Sequence, residues 1–244
     1  MSVKERLFAC ASKGDTAAIS QLLREKAVSP DLHDRYGVTP LMEACRSGHL
    51  ESVEAFVQAG ANVHATDKEK TTVLMHACSG RSNSTIVEYL IAHGVHINER
   101  DAYGCTAIMR ATPKGDAEMV RILLDGGAEV NVESENHETP LTFAIVWNRI
   151  KIVEVLIDAG ADLQWVDDKG WTPLLYAVYE KRWKIANLLR DHGAGIPVFS
   201  LPTSKRVVGK KAQPRSSPRS SAETGSRSTK QNYRSTEHKQ ENAI

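Results

Sequence analysis

Nearly the same four-residue phrase returns five times in this chain, at Thr39, Thr72, Thr106, Thr139 and Thr172, with spacings of 33, 34, 33 and 33 residues. It reads Thr39-Pro40-Leu41-Met42, Thr72-Val73-Leu74-Met75, Thr106-Ala107-Ile108-Met109, Thr139-Pro140-Leu141-Thr142 and Thr172-Pro173-Leu174-Leu175. An alanine follows each at the same distance: Ala44, Ala77, Ala111, Ala144 and Ala177. A second phrase keeps step, closing each unit at Gly60-Ala61, Gly94-Val95, Gly127-Ala128, Gly160-Ala161 and Gly193-Ala194. Two signals sharing one period over most of a chain leave little room for any architecture except a stacked solenoid. Solenoids offer an extended surface to other macromolecules, which directs the search for function towards binding.

One unit can be read physically from Asp101 to Gly127. Asp101-Ala102-Tyr103-Gly104 has turn chemistry, because Asp bonds its own downstream backbone and Gly accepts a positive φ. Thr106 stands where an N-cap belongs, its hydroxyl available to the free amides of the first turn. Pro opens the following helix in three of the five units, at a position where its missing N–H costs nothing. A second helix, 117–125, places Val120, Ile122, Leu123 and Leu124 for burial, and Gly126-Gly127 stops it. Helices this short do not hold alone, so each unit needs its neighbours.

A turn–helix–helix unit with T-P-L near its start and G-A near its end resembles the ankyrin repeat. The resemblance implies an all-α ankyrin-repeat solenoid whose helix-turn-helix units are joined by β-hairpin-like turns. On that reading residues 1–33 are an N-terminal capping repeat, 34–196 hold five units of which the last is the C-terminal cap, and 197–244 are a disordered basic tail. The cap lacks the Thr-Pro entry, but Leu7, Cys10-Ala11, Gly14-Asp15, Ile19 and Leu22-Leu23 keep register. The family's His after T-P-L is replaced by Met42, Met75, Met109, Thr142 and Leu175, which implies soft packing in place of a polar brace. Lys70 and His137 replace the turn glycine, so those two turns should be strained or differently shaped. One extra residue, around Ser82-Asn83-Ser84, should lengthen the loop inside the second unit.

Cys10, Cys45, Cys78 and Cys105 form no C-x-x-C pair. Cys45 and Cys78 hold equivalent sites in units expected to stack about 10 Å apart, too far for a disulfide. Buried thiols in a reducing cytosol, or a nucleus, are the expectation. The charged opening Met1–Arg6 has no apolar run behind it, so no signal peptide is expected, and no stretch reaches membrane-spanning length.

The net charge of +1 hides an asymmetry. From Ile196 onward there are ten Lys or Arg against three Glu, leaving the repeats acidic. Poor in large apolar residues, the tail cannot bury a core. Lys205, Arg206, Lys210 and Lys211 are candidates for a nuclear-import address, and Ser217, before Pro218, for phosphorylation. A solvated terminus is the competing reading of both.

Searching for chemistry returns little. Nine histidines form no metal-ligand spacing, and carboxylate pairs such as Asp167-Asp168 repeat the turn position, where capping explains them. No glycine-rich phosphate loop or G-x-S-x-G is present. The chain is expected to be no enzyme, to need no cofactor, metal or small-molecule substrate, to be monomeric, and to make no membrane contact. The acidic repeats do not suit nucleic acid, which leaves the tail as its one expected point of contact.

Ankyrin proteins usually engage partners on a concave face lined by hairpin tips and first helices. Carried over, the tips here are Arg35-Tyr36 and Val38, Lys68-Glu69, Ala102-Tyr103, Glu135-Asn136 and Trp171. The helix positions include Arg46, His76, Arg110, Phe143, Trp147, Tyr176 and Tyr179. Aromatic residues and Arg, the types that dominate interface energetics, are concentrated in this set. Tyr36, Arg46, Tyr103, Arg110, Phe143, Trp147, Trp171, Tyr176 and Tyr179 are therefore the candidate protein-binding residues. Shielding the end of the core is the competing role for the C-terminal rings. Trp183, inside the last helix, is expected in the core. The family's hydroxylatable Asn before the hairpin is matched by Asn98 and Asn131. The expected function is a protein-binding adaptor or scaffold; the alternative is a nuclear regulator that holds a transcription or chromatin factor while its tail directs import or touches nucleic acid.

Overall fold

The computed structural model describes residues 2–25, 28–81 and 83–195. The basic tail, with Lys205, Arg206, Lys210, Lys211 and Ser217, lies outside the described residues, as does Ser82. Among the described residues, twelve α-helices form six consecutive pairs: α1 (Val3–Lys13) with α2 (Thr16–Arg24), α3 (Pro40–Ser47) with α4 (Leu50–Gln58), α5 (Val73–Ser79) with α6 (Ser84–Ala92), α7 (Ala107–Ala111) with α8 (Ala117–Asp125), α9 (Pro140–Val146) with α10 (Ile150–Asp158), and α11 (Pro173–Tyr179) with α12 (Trp183–Asp191). Each first helix packs on the first helix of the next pair, and each second helix on the next second helix. Two helical layers result, and one apolar core runs from Leu7 to Ala194. The repeated alanine makes the close approach possible: Ala44, Ala77, Ala111, Ala144 and Ala177 are all buried.

The recurring threonine acts as expected in four units. Thr39, Thr72, Thr139 and Thr172 each accept the N–H three residues on, at 3.2–3.3 Å. Thr106 differs: its hydroxyl is buried without a hydrogen-bond partner among the described residues. The helix it opens is also the shortest, five residues, because Pro113 cannot continue it and the chain tightens into a 3₁₀ turn over Thr112–Lys114.

Soft packing at the missing-His position holds only in part. Met42 Sδ does accept the Thr39 N–H at 3.4 Å, but Thr142 Oγ1 accepts the Thr139 N–H at 2.8 Å and donates to its carbonyl at 2.9 Å, a fully polar brace. In α8, Val120 and Leu123 are buried with Met119, while Ile122 and Leu124 are half-buried. Lys70 and His137 do take left-handed backbone, φ 59° and 56°, where the matching glycine of the third unit, Gly104, has φ 71°. Asn148 and Lys181 do the same after the first helix of their units, φ 55° and 58°. Each costs about 1–2 kcal/mol relative to glycine, so the stack carries several local strains that packing offsets.

The units are also laced by side chains the sequence did not signal. In four units the residue before the second helix reaches back to a carbonyl at the end of the preceding unit's first helix. His49 Nε2 lies 3.1 Å from Ser12 O, Asn83 donates to Gly48 O, Arg149 to Pro113 O and Arg182 to Val146 O. These contacts satisfy helix-end carbonyls that would otherwise lack partners.

Candidate protein-binding face

The hairpin tips are built on one bonding scheme. Oδ1 of Asp34, Asp67, Asp101 and Asp167 accepts the N–H groups two and four residues on, for example Tyr103 at 2.8 Å and Cys105 at 2.9 Å. Ser134 does the same through Oγ, to Asn136 and Glu138. Tips then bond across units: the N–H of Lys68 donates to Tyr36 O, that of Ala102 to Glu69 O, and that of Glu135 to Tyr103 O, at 2.8–2.9 Å. No such bond joins Asp168 to Asn136 among the described residues, so the last tip stands apart from this ladder.

The second carboxylate oxygen of the turn Asp reaches nine residues ahead, onto the first helix. His76 Nε2 lies 3.0 Å from Asp67 Oδ2, Arg110 Nε donates to Asp101 Oδ2 at 2.8 Å, and the Tyr176 hydroxyl donates to Asp167 Oδ2 at 2.7 Å. Three donor types thus serve one geometric role. Where the turn residue is Ser134, the helix residue is Phe143, which packs on Cys105, Met109 and Val132. Where the helix residue is Glu43, which cannot donate to Asp34, it pairs instead with Arg46 at 2.7 Å.

Local electrostatics follow from these pairs. Burial lowers the His76 pKa against the opposing pull of Asp67, favouring the neutral ring as donor. Burial, and then the Asp167 carboxylate it donates to, raise the Tyr176 phenol. Burial works against ionisation of Asp167, yet the Trp171 N–H, the Tyr176 hydroxyl and the Lys169 N–H together hold its carboxyl below the ordinary value. The buried Cys45 and Cys78 thiols are raised well above the usual range by desolvation, and Cys105 is raised to about 11, which makes all three poor nucleophiles at neutral pH.

Against this geometry the candidate residues sort into two groups. Tyr36, Tyr103 and Tyr179 are exposed, the last by 68%. Arg35 lies over the Tyr36 ring, 4.6 Å from its centroid, and Arg46 is exposed while paired to Glu43. Arg110, Phe143, Trp147, Trp171 and Tyr176 are only half-buried. Arg110 and Tyr176 also hold the hairpin tip, a role their sequence position did not announce. Trp171 stacks near Tyr176 and Tyr179, ring centroids 5.3 and 4.9 Å apart, which gathers three rings on the last unit. Trp165, not singled out from sequence, donates its indole N–H to Glu133 at 2.7 Å and ties the last two units.

Trp183 corrects the expectation of a core residue, being 60% exposed. Its counterparts Leu50, Ala117 and Ile150 are partly buried in units that have a successor, whereas the last described unit has none. Asn98 and Asn131 each bridge to the next loop, donating to Gly127 O and Gly160 O and accepting from the N–H of Glu129 and Asp162. Gln164 repeats half of this bridge, donating to Gly193 O. No cluster of three metal-ligating side chains and no helix long and apolar enough to cross a membrane occurs among the described residues.

A family model described as ankyrin repeats in three copies matches residues 4–67, 56–134 and 127–199. The chain belongs to the ankyrin-repeat family. The crystal structure of the human ASB11 ankyrin repeat domain is similar, with TM-score 0.71 and 28% identity over 78% of this chain and 85% of that one. Dog inversin is 27% identical over 151 residues, 60% of this chain. The ankyrin repeat, SAM and basic leucine zipper domain-containing protein 1 of Dasypus novemcinctus is 34% identical over 120 residues, 48% of this chain. These matches span 14% and 25% of those two relatives, so the likeness is to a part of each. Ankyrin repeats are in general protein–protein interaction modules and typically non-catalytic.

Proposed function

We propose that this ankyrin-repeat chain is a non-catalytic adaptor or scaffold that grips a protein partner through the hairpin tips and first helices, with its main anchor at the C-terminal end of that face. The observation that carries the reading is the gradient along it. Its N-terminal units present a single ring, Tyr36, beside the Glu43–Arg46 ion pair and the His76–Asp67 contact, while the last two units gather Phe143, Trp147, Trp171, Tyr176 and Tyr179. Half-buried rings held by packing and hydrogen bonds lose little rotamer freedom on binding, which suits them as anchors.

Proximity labelling in native cells identifies the partner, and purified components then test the face. Changing Tyr103, Trp147 and Trp171 together to Ala should weaken that partner's binding on the order of 100-fold, the scale of a small set of aromatic anchors, while helical content persists. Removing the exposed Glu118–Arg121 pair on α8 should leave affinity unchanged. Equal affinity of the triple variant and the natural chain would overturn the proposal.

A further inference from the structure

Val178 occupies the site held in the four preceding units by Cys45, Cys78, Thr112 and Ile145. Those four are at most 1% exposed because the next unit covers them; Val178 is 41% exposed. Leu175 departs the same way, half-buried where Met42, Met75, Met109 and Thr142 are buried. With Tyr179 and Trp183, three of the seven large hydrophobic residues exposed in the described chain fall within six positions at this end. Terminal units of a solenoid need a polar outer face. The opposite end meets that need, since α1 and α2 expose Lys4, Arg6, Lys13, Gln21 and Arg24. The C-terminal end instead keeps residues of stacking type.

The surroundings of the patch select its occupant. Lys181, Lys184 and Arg190 are exposed around it. Arg190 has Asp191 at 4.0 Å, whereas no ion pair involves Lys181 or Lys184 among the described residues. A second copy of this end would set these cations against themselves. The tail sequence is equally mismatched, with its ten Lys or Arg against three Glu. On α12, Trp183, Asn187 and Arg190 follow one another at helical spacing, the outer line against which a further helix would lie.

We propose that the open end of the last unit is a second docking face, bordering the tip face at Tyr179, and that it seats an acidic amphipathic helix of another protein. The apolar side of that helix covers Val178 and Trp183, and its Asp or Glu side chains meet Lys181 and Lys184. Burial of the patch supplies the attraction, and the charges set partner choice and orientation.

The test places a photoreactive residue at Asn187 of the full chain, in cells that express it, and sequences the segment crosslinked on irradiation. The expected segment belongs to another protein, is rich in Asp and Glu, and carries apolar residues every third or fourth position. Its yield should fall at least tenfold on changing Lys181→Glu with Lys184→Glu, and should be unaffected by Trp147→Ala on the tip face. Lys184→Glu alone, on the helix surface, serves if the left-handed Lys181 position proves sensitive to substitution, and should then lower the yield several-fold. Crosslinking to residues 197–244, to a second copy or to a segment without acidic excess overturns the proposal. So does capture that survives charge reversal, and so does no capture at all.

Discussion

Asp101→Ser should cost this protein about 3 kcal/mol, the scale for breaking a buried ion pair from one side, and Arg110→Phe in the same chain should restore most of that loss. Asp101 is 4% exposed and performs two tasks: Oδ1 closes the turn onto the N–H groups of Tyr103 and Cys105, and Oδ2 takes the Arg110 guanidinium. Serine retains the first task, as Ser134 does one unit later. It loses the second, leaving the half-buried guanidinium without its carboxylate. Phenylalanine at 110 removes that charge and installs the pair the next unit already uses, Ser134 with Phe143. Urea unfolding of the natural chain, both single variants and the double should therefore show coupling of about 2 kcal/mol. Additive losses would mean that Asp101 and Arg110 act independently, and that the tip is not held from its helix.

Gly80→Ala should destabilise comparably, by about 3 kcal/mol, the upper range for forcing atoms into a packed site. A Cβ at this glycine would lie 2.2 Å from Arg46 O and 2.6 Å from that residue's carbonyl carbon and Cα, all backbone. The cause is not conformational, since φ at Gly80 is −80°. The second unit carries one extra residue, and the chain there runs against α3 closely enough for the Arg81 N–H to donate to Arg46 O at 2.9 Å. Gly127→Ala is the informative comparison. Its φ is +97° but nothing lies within 4 Å of its Cβ position, so only the left-handed cost of about 1–2 kcal/mol applies. Thermal unfolding followed by circular dichroism should rank Gly80→Ala well below Gly127→Ala; the reverse order would remove the steric account of the lengthened loop.

Much of the architecture was legible because stacking writes the same constraint once per unit. The Thr-Pro-Leu entry, the spaced alanine and the closing Gly mark the start, contact face and end of each helix pair, and all are local signals with one physical cause each. The turn aspartates were legible for the same reason. The tie from each aspartate to its first helix was not, because it joins residues nine apart and uses His, Arg or Tyr interchangeably. No residue type repeats, so only geometry reveals that Arg110 and Tyr176, picked out as binding residues, also support the tips. Thr106 shows the opposite limit: its sequence context matches the other four threonines, yet its hydroxyl finds no partner. Trp183 was assigned to the core from its place in a helix. Burial in a stack depends on whether another unit follows, which composition within one unit does not encode. Exposure of the candidate residues was equally hidden, since Tyr176 and Tyr179 lie on the same first helix, yet the first is half-buried against Asp167 and the second is exposed.

The central claim is that stacked helical hairpins, each too short to stand alone, present one shared gripping surface made of tips and first helices. Hydrogen–deuterium exchange of the full chain, free and saturated with its labelled partner, tests this most directly. New protection is expected in 133–147 and 167–179, the tips and first helices of the last two units, with the outer surfaces of α8 and α10 unchanged. Protection confined to those second helices, with the tips exchanging as in the free chain, would contradict it.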